Sequence, residues 1–402
     1  MAGPKNDIIY ESTILGFFVA SWMMLQKTRI TGKEHLKNIP LPVIFTVTHD
    51  SYFEIPSLTY VYRAIRPRPR FTIMAKQDFL SGKYLAMTYF DKNLFLNSVF
   101  KIFDKTGIPK AIFKKLNLIS IPRPFIDSQQ IIKDEVKKEI SSQVDRFKKK
   151  IHEGFSTLIF PEGTTWGYGG IKKIRSAIYQ LVTNAFAQHD IKVYILPINV
   201  KVDRLARGRK DLFINIGQPK FILKSREDFN QYIHATLQKL HTITFSQIAA
   251  YYLKKISELT KETRMEVCLT KEELIDQLST IARNIHSKVE DKTLPAIDHR
   301  LVEKSYLAKK VTKFITYSIK KNYLLKNPQD KGNNTYILNH EKVLAQYPVR
   351  LFRKRNPLGF SANELASLGD KLIDPIFSGA VPSQFKRFLT NNSKKAVKHS
   401  LP

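Results

Sequence analysis

Two strand-to-loop junctions in this sequence carry side chains suited to acid–base chemistry. The first follows the apolar run of residues 43–48 and contains His49 and, five positions later, Glu54. A neutral imidazole takes a proton from a hydroxyl near pH 7, and a carboxylate on its other ring nitrogen orients it and stabilises the imidazolium. The pair therefore predicts a general base with an orienting acid; a capping or surface histidine is the alternative.

The second junction, residues 160–165, has the sequence Phe-Pro-Glu-Gly-Thr-Thr and follows an apolar run that is typical of a buried strand. Its proline and glycine end the strand at once, which places Glu162 and Thr164 at the carboxyl end. Ligands bind at that edge of open α/β sheets. We therefore expect the two junctions to meet and to form one site.

The composition limits the classes of partner that this chain can have. Its 402 residues are 43% hydrophobic, enough for two or three domains and a sizeable core. The single cysteine, Cys268, excludes an intrachain disulfide. The net charge of +31 attracts nucleic acid, anionic lipid surfaces or phosphorylated substrates. The sequence has no helix-turn-helix or ribonucleoprotein spacing, which makes nucleic acid the less favoured partner, and its ten histidines are scattered, so no metal site is expected.

Strand-like and helix-like patterns alternate up to about residue 225, which predicts one α/β domain. Strands are expected at residues 43–48, 71–75, 118–121, 155–160, 193–200 and 212–216, with a break at Pro197. Helices are expected to begin near residue 55 and to cover residues 127–153 and 174–188. Residues 226–402 are basic and mostly helical in pattern, and the last ten residues have a composition typical of disorder.

Three apolar or aromatic segments each allow two interpretations. The twelve residues 14–25 are too short to cross a bilayer, which needs about 20 apolar residues, and they lack the features of a signal peptide. They form either a helix in the membrane interface, with Trp22 near the headgroups, or an ordinary packing helix. Residues 302–325 form a membrane-surface helix or a helix with a solvated lysine face that includes Lys310. The aromatic residues of 80–105 line an acyl tunnel or belong to the core.

Four sequence blocks follow one another in an informative order. They are His49 with an acid after four intervening residues, Ile119-Ser120-Ile121-Pro122-Arg123, Phe160-Pro161-Glu162-Gly163-Thr164 and Ile195-Leu196-Pro197-Ile198. Over roughly residues 40–220 the chain resembles the PlsC-like glycerolipid acyltransferases, which make lysophosphatidic and phosphatidic acids. The resemblance implies an α/β fold with a mixed central sheet flanked by helices, followed here by a mostly helical C-terminal region.

The resemblance also implies roles for individual residues. His49 is the expected general base and Glu54 its orienting acid. The phosphorylated glycerol acceptor is expected to bind at Arg123, Glu162, Gly163 and Thr164, with Lys172 and Lys173 holding phosphate. A hydroxyl then attacks an acyl thioester of coenzyme A or acyl carrier protein, with no cofactor, metal or acyl-enzyme. Arginine suits phosphate because its guanidinium forms two parallel hydrogen bonds to oxygens.

Three positions depart from the family pattern. Glu54 stands where the first block usually ends in Asp, Asn117 where the second opens with Gly, and Thr165 where the third continues with Arg. The alternative is therefore a catalytically degenerate protein of the same fold that binds lipid or membranes, and a third interpretation is nucleic-acid binding by the basic C-terminal half.

The expected organisation follows from these segments. It comprises an N-terminal membrane-interface helix (1–30), an acyltransferase domain (31–225) and a basic, mostly helical region with a flexible tail (226–402). We expect association with an anionic membrane surface on the cytoplasmic face.

Overall fold

The computed structural model describes residues 8–23, 26–49, 54–66, 68–76, 118–121, 133–163, 167–206, 208–261, 266–330, 332 and 334–380. Within these ranges, no helix combines the length and the apolar character needed to span a bilayer. The aromatic segment 80–105 and the tail of the last ten residues lie outside the described residues, so the predictions for them stand as predictions. The proposed division into 1–30, 31–225 and 226–402 likewise stays a prediction.

A seven-stranded mixed sheet forms the centre of the N-terminal half, which confirms the predicted fold class. The strands are β1 (Gln26–Thr31), β2 (Val43–Val47), β3 (Phe71–Lys76), β4 (Leu118–Ile121), β5 (Ser156–Ile159), β6 (Tyr194–Asp203) and β7 (Lys210–Ile216), in the order β1-β7-β6-β2-β5-β3-β4. Strand β2 runs parallel to both neighbours, β5 and β6, whereas β6 and β7 are antiparallel. All five β2 residues are buried, as expected for a central strand covered on both faces.

Strand β6 continues through Pro197, contrary to the predicted break. Proline lacks the N–H that a ladder requires. In β6 the Pro197 carbonyl accepts a hydrogen bond from Gly217 N at 2.9 Å, just beyond the end of β7. The absent N–H of Pro197 therefore lies on the side of β7, at a point where β7 has already ended. The other hydrogen bonds of β6 with its neighbouring strands are not affected.

Strand β1 is a correction to the expected N-terminal helix and its lead-in. It pairs in parallel with β7, with Ile30 opposite Ile214. Lys27 and Arg29 are exposed along this edge strand, and charged side chains are a common protection for an unpaired sheet edge. Their alternation with less exposed residues has the two-residue period of a strand.

In the part of the chain that the structure describes, four α-helices accompany the sheet: α1 (Ile8–Met23), α2 (Glu54–Ala64), α3 (Lys133–His152) and α4 (Ala177–His189). Helix α1 packs on α2: Tyr10 is buried, its hydroxyl accepts from Phe71 N at 3.1 Å, and the Phe18 ring lies 4.8 Å from the Tyr60 ring. The other side of α1 leaves Ile8 and Leu15 exposed. One face is thus a packing face, while binding of the exposed face to a membrane stays a prediction.

The chain beyond β7 is mostly helical, as predicted. Its helices are α5 (Arg226–Lys239), α6 (Phe245–Lys261), α7 (Lys271–Glu290), α8 (Lys304–Lys320), α9 (His340–Leu344), α10 (Val349–Arg355), α11 (Pro357–Ala366) and α12 (Asp370–Ser378). Short strands missed by the sequence pattern are β8 (Thr242–Ile243), β9 (Cys268–Thr270), β10 (Ala296–Ile297), β11 (Leu324–Lys326) and β12 (Thr335–Leu338). Two to four residues are too few to show a recognisable alternation.

Helix α8 packs its apolar face into the C-terminal core. That face is therefore not available to lie on a membrane surface. Lys310, expected on the solvated lysine face, is buried instead. Its Nζ pairs with Asp211 Oδ2 at 2.6 Å and with Asp203. Both aspartates belong to the end of the central sheet, so the partners that make a buried lysine tolerable come from strands about 100 residues earlier.

Candidate active site

The two junctions singled out in the sequence meet at one edge of the sheet. Strands β2 and β5 are parallel neighbours, with Thr46 opposite Ile159, so their carboxyl ends lie side by side. The His49 ring stacks on the Phe160 ring with centroids 4.3 Å apart. The His49 backbone N–H donates to Glu162 Oε1 at 3.3 Å. The structure thus brings His49 and Glu162 together, as expected.

The residue before His49 fixes the histidine backbone against strand β6. Thr48 is buried, and its N–H donates to the Ile198 carbonyl at 3.1 Å. Its Oγ1 accepts from Val200 N at 2.9 Å. These bonds continue the β2–β6 ladder beyond the last residue of β2. The backbone is therefore held in place up to the residue directly before His49.

Glu162 ties two loops together through its side chain. The residue is only 2% exposed, and its Oε2 accepts from Lys172 N at 2.9 Å while Oε1 accepts from His49 N. The turn around it is held by Gly163 N, which donates to the Phe160 carbonyl at 2.9 Å. Gly163 has φ +73°, a left-handed conformation that favours glycine. The carboxylate therefore bonds to the backbone of both loops and holds them together.

The environment of Glu162 perturbs its ionisation. Burial raises the pKa of the carboxyl from 4.5 to about 7, because a charge is poorly solvated there. The N–H groups of Lys172 and His49 and the charges of Lys201 and His49 act in the opposite direction on this pKa. Near neutral pH, protonated and ionised forms of Glu162 therefore coexist, and perturbed acids of this kind are frequent at functional sites.

A buried ion pair that the sequence reasoning missed lies at the neighbouring strand. Lys201, on β6, places Nζ 2.8 Å from Oε1 of Glu364, on α11, and the two side chains are 4% and 1% exposed. Arg204 approaches the other carboxylate oxygen of Glu364 at 3.9 Å. The available sequence signal was a lysine inside a mostly apolar strand, because buried lysines are rarely found without a partner.

The loop that follows Gly163 is held by the C-terminal region. The Tyr168 ring lies 4.8 Å from the Phe352 ring of α10, and Asn363 Nδ2, on α11, donates to the Tyr168 carbonyl at 2.9 Å. A Cβ on Gly169 would lie 2.7 Å from the Phe360 carbonyl oxygen. Glycine therefore permits a close approach of this loop to α11.

The remaining predicted site residues fall into two groups. Glu54 begins α2, Lys172 is half-buried, and Lys173 is exposed on the loop that ends at α4. Arg123 and Thr164 lie outside the described residues, as does Thr165. The described part of the chain holds no group of three His, Cys, Asp or Glu side chains that could bind a metal ion.

Among the comparisons with known proteins, a family match agrees with the motifs. Residues 27–201 match the family model described as Acyltransferase. The comparison with curated proteins gave no match. Among solved structures, the chain matches PlsC, the 1-acyl-sn-glycerophosphate (LPA) acyltransferase of Thermotoga maritima, at 12% identity, with 57% of this chain and 77% of that chain covered and a TM-score of 0.36. The family match confirms the acyltransferase resemblance of the four blocks.

Proposed function

We propose that this chain, whose residues 27–201 match the acyltransferase family model, moves a fatty acyl group from an acyl thioester to a hydroxyl of a glycerol phosphate or lysophospholipid. One observation supports the proposal above the others. His49 leaves the central strand beside a buried Glu162 that bonds to its backbone, inside the segment that matches the family. The donor is acyl-coenzyme A or acyl carrier protein.

In the proposed reaction His49 is the general base. The acceptor oxygen attacks the thioester carbonyl carbon while the His49 imidazole takes the hydroxyl proton. The carbon–sulfur bond then breaks, and the leaving sulfur receives that proton from the imidazolium. Glu54, at the start of α2, is the proposed acid that orients the ring. No metal or acyl-enzyme takes part.

Cations around the site are proposed to bind the acceptor phosphate. Lys172 and Lys173 lie on the loop that Glu162 fixes, and Arg123 follows β4 in the sequence. Glu162 acts on acceptor binding through this loop, because its Oε2 bonds to the Lys172 backbone. Gly163 and Thr164 complete the proposed acceptor site.

The chain is proposed to work at an anionic membrane surface on the cytoplasmic face. Helix α1 exposes Ile8, Leu15 and Val19, at 84%, 52% and 45%. Apolar side chains on one helix face, together with a net charge of +31, suit binding in the interface of anionic lipid. Such binding weakens at high salt, because the screening length falls to about 3 Å at 1 M.

The proposed activity is tested by an acyl-transfer assay read by mass spectrometry. Purified full-length protein is offered acyl-coenzyme A or acyl carrier protein thioesters with glycerol 3-phosphate, lysophosphatidate or lysophospholipids. We expect a product that His49→Ala abolishes. The matched control is His152→Ala, an exposed histidine that precedes β5 at the opposite edge of the sheet and should leave the rate unchanged.

Two results would contradict parts of the proposal. Equal rates for the wild type and His49→Ala would remove His49 as the base. No product from any pair, with binding to anionic vesicles intact, would favour the degenerate lipid-binding alternative that Glu54 in place of Asp suggests. In that case Glu54→Asp is the next variant to assay, because restored activity would identify a decayed enzyme.

A further inference from the structure

A buried pair of charges from distant parts of the sequence lies at the strand next to the candidate site. Lys201 and Glu364 are 163 residues apart, yet their charged atoms are 2.8 Å from each other and both side chains are buried. Two charges are removed from water here, and such pairs persist only with good geometry and further hydrogen bonds. The Lys201 charge also acts on the buried Glu162 carboxyl of the candidate site.

Lys201 belongs to the strand that fixes His49. Its neighbour Val200 donates its N–H to Thr48 Oγ1, directly before His49. From this position the Lys201 charge acts on the Glu162 carboxyl and opposes the effect of burial. Among the described residues, the His49 N–H and charge, from the end of β2, and the Lys172 N–H, from the loop before α4, also act on this carboxyl, and the Arg175 side chain packs beside the adjacent Gly163.

Helix α11 contacts both Lys201 and the loop that carries Lys172. Glu364 pairs with Lys201, and Arg204 is 3.9 Å from the same carboxylate. One residue earlier, Asn363 donates to the Tyr168 carbonyl at 2.9 Å. Helix α11 therefore holds both the Lys201 ammonium group, through Glu364, and the loop at Tyr168, through Asn363.

We propose that Lys201 and Glu364 are positioning residues of the acyl-transfer site: the pair sets the electric field at Glu162, and it anchors helix α11, whose Asn363 holds the loop that bonds to Glu162. Residues of the C-terminal region thereby complete a site whose other groups lie in the family-matched segment. This inference rests on the proposed function.

The pair predicts effects of opposite sign on Glu162. Lys201→Met removes a positive charge, which makes the ionised carboxylate less favourable. Glu364→Gln removes the negative charge that pairs with Lys201, so the net positive potential at Glu162 rises and the ionised carboxylate becomes more favourable. A purely structural pair would lower stability in both variants without moving the ionisation of Glu162 in opposite directions.

The decisive measurement is the titration of Glu162 itself. In full-length protein labelled with carboxyl-¹³C glutamate, the resonance missing from Glu162→Gln identifies this residue. We expect its midpoint to rise by about one pH unit in Lys201→Met and to fall by a similar amount in Glu364→Gln. Lys310→Met is the matched control: it removes another buried lysine between the sheet and the C-terminal region and should leave the midpoint unchanged.

A charge-swapped variant keeps the test decisive if a single variant does not fold. Lys201→Glu combined with Glu364→Lys retains an ion pair but places the negative charge on β6, so the Glu162 midpoint should rise. An unchanged midpoint in this variant would overturn the inference. Shifts of the same sign in both single variants would also overturn it.

The activity profile separates this inference from the proposed function. In the acyl-transfer assay, the acid side of the pH–rate profile should move with the Glu162 midpoint in each variant. If the wild type transfers no acyl group, the proposed function fails while the titration still decides whether the pair controls Glu162. An active wild type whose rate profile stays fixed while the midpoint moves would refute the positioning role.

Discussion

Replacing Glu162 by Gln isolates what burial of this carboxyl does to the stability of the fold. Glu162 is 2% exposed, and burial raises its pKa from 4.5 to about 7. Between these two pH values the folded protein retains a proton on Glu162 that the unfolded chain has released. Raising the pH therefore favours the unfolded chain. The stability that the folded protein has with Glu162 protonated is present in full below about pH 4.5 and is lost as the pH rises through about 7.

The magnitude follows from the difference between the two pKa values. It is about 2.5 units, and at 1.36 kcal/mol per unit this corresponds to about 3 kcal/mol of unfolding free energy. With an unfolding entropy of about 2.1 cal/mol/K per residue over 402 residues, the same quantity is about 4 °C in melting temperature. The glutamine variant lacks the titrating group, so its stability should not show this fall with pH.

The assay compares wild type and Glu162→Gln in denaturant and thermal unfolding at steps between pH 4.5 and 8. The stability of the wild type relative to the variant should fall by about 3 kcal/mol across this range and then level off. Glu227→Gln removes an exposed carboxylate at the start of α5 and is the matched control.

A relative stability that stays level or rises with pH would refute the reasoning. It would mean that the two N–H groups and the Lys201 charge outweigh burial, so that Glu162 is ionised throughout.

Four further substitutions test other parts of the molecule. His49→Ala should lower kcat by about 10²- to 10⁴-fold while vesicle binding persists, which rate and flotation assays measure; a near-normal rate would exclude the base role. Arg123→Ala should mainly raise the acceptor KM in steady-state kinetics, and an unchanged KM would remove Arg123 from the phosphate site. Lys310→Met should cost about 3–5 kcal/mol in denaturant unfolding, because Asp211 and Asp203 lose their buried partner; a loss below 1 kcal/mol would contradict this. Gly169→Ala should reduce amide-exchange protection of the loop at Tyr168 and lower the melting temperature, because φ is +106° and the new methyl group meets the Phe360 carbonyl; unchanged protection would exclude this contact.

Local patterns were sufficient for the central strands and for the meeting of the two junctions. Strand β2 has an apolar, β-branched sequence that is buried on both faces, and Pro161 with Gly163 ends the next strand unambiguously. Parallel strands end at the same edge of a sheet, so His49 and Glu162 followed from strand identity and direction alone. Their chemistry was predictable because it depends on residue type and on position at a strand end.

Other features depended on partners that are remote in the sequence. A proline inside β6 predicts a break unless the end of the adjacent strand is known, and a basic edge strand such as β1 has no apolar run to reveal it. Lys310 has the spacing of a solvated helix face, and only Asp203 and Asp211 make its burial possible.

By itself, the sequence determined the fold class, the family resemblance and the two junctions that carry the candidate chemistry. These properties reside in short stretches whose residue types and order are sufficient. Tertiary structure alone decided that Glu162 bonds to the backbones of His49 and Lys172 and that Glu364 lies against Lys201. The physical reason is that burial and pairing set the energy of a charge, and both depend on which distant segments the fold brings together.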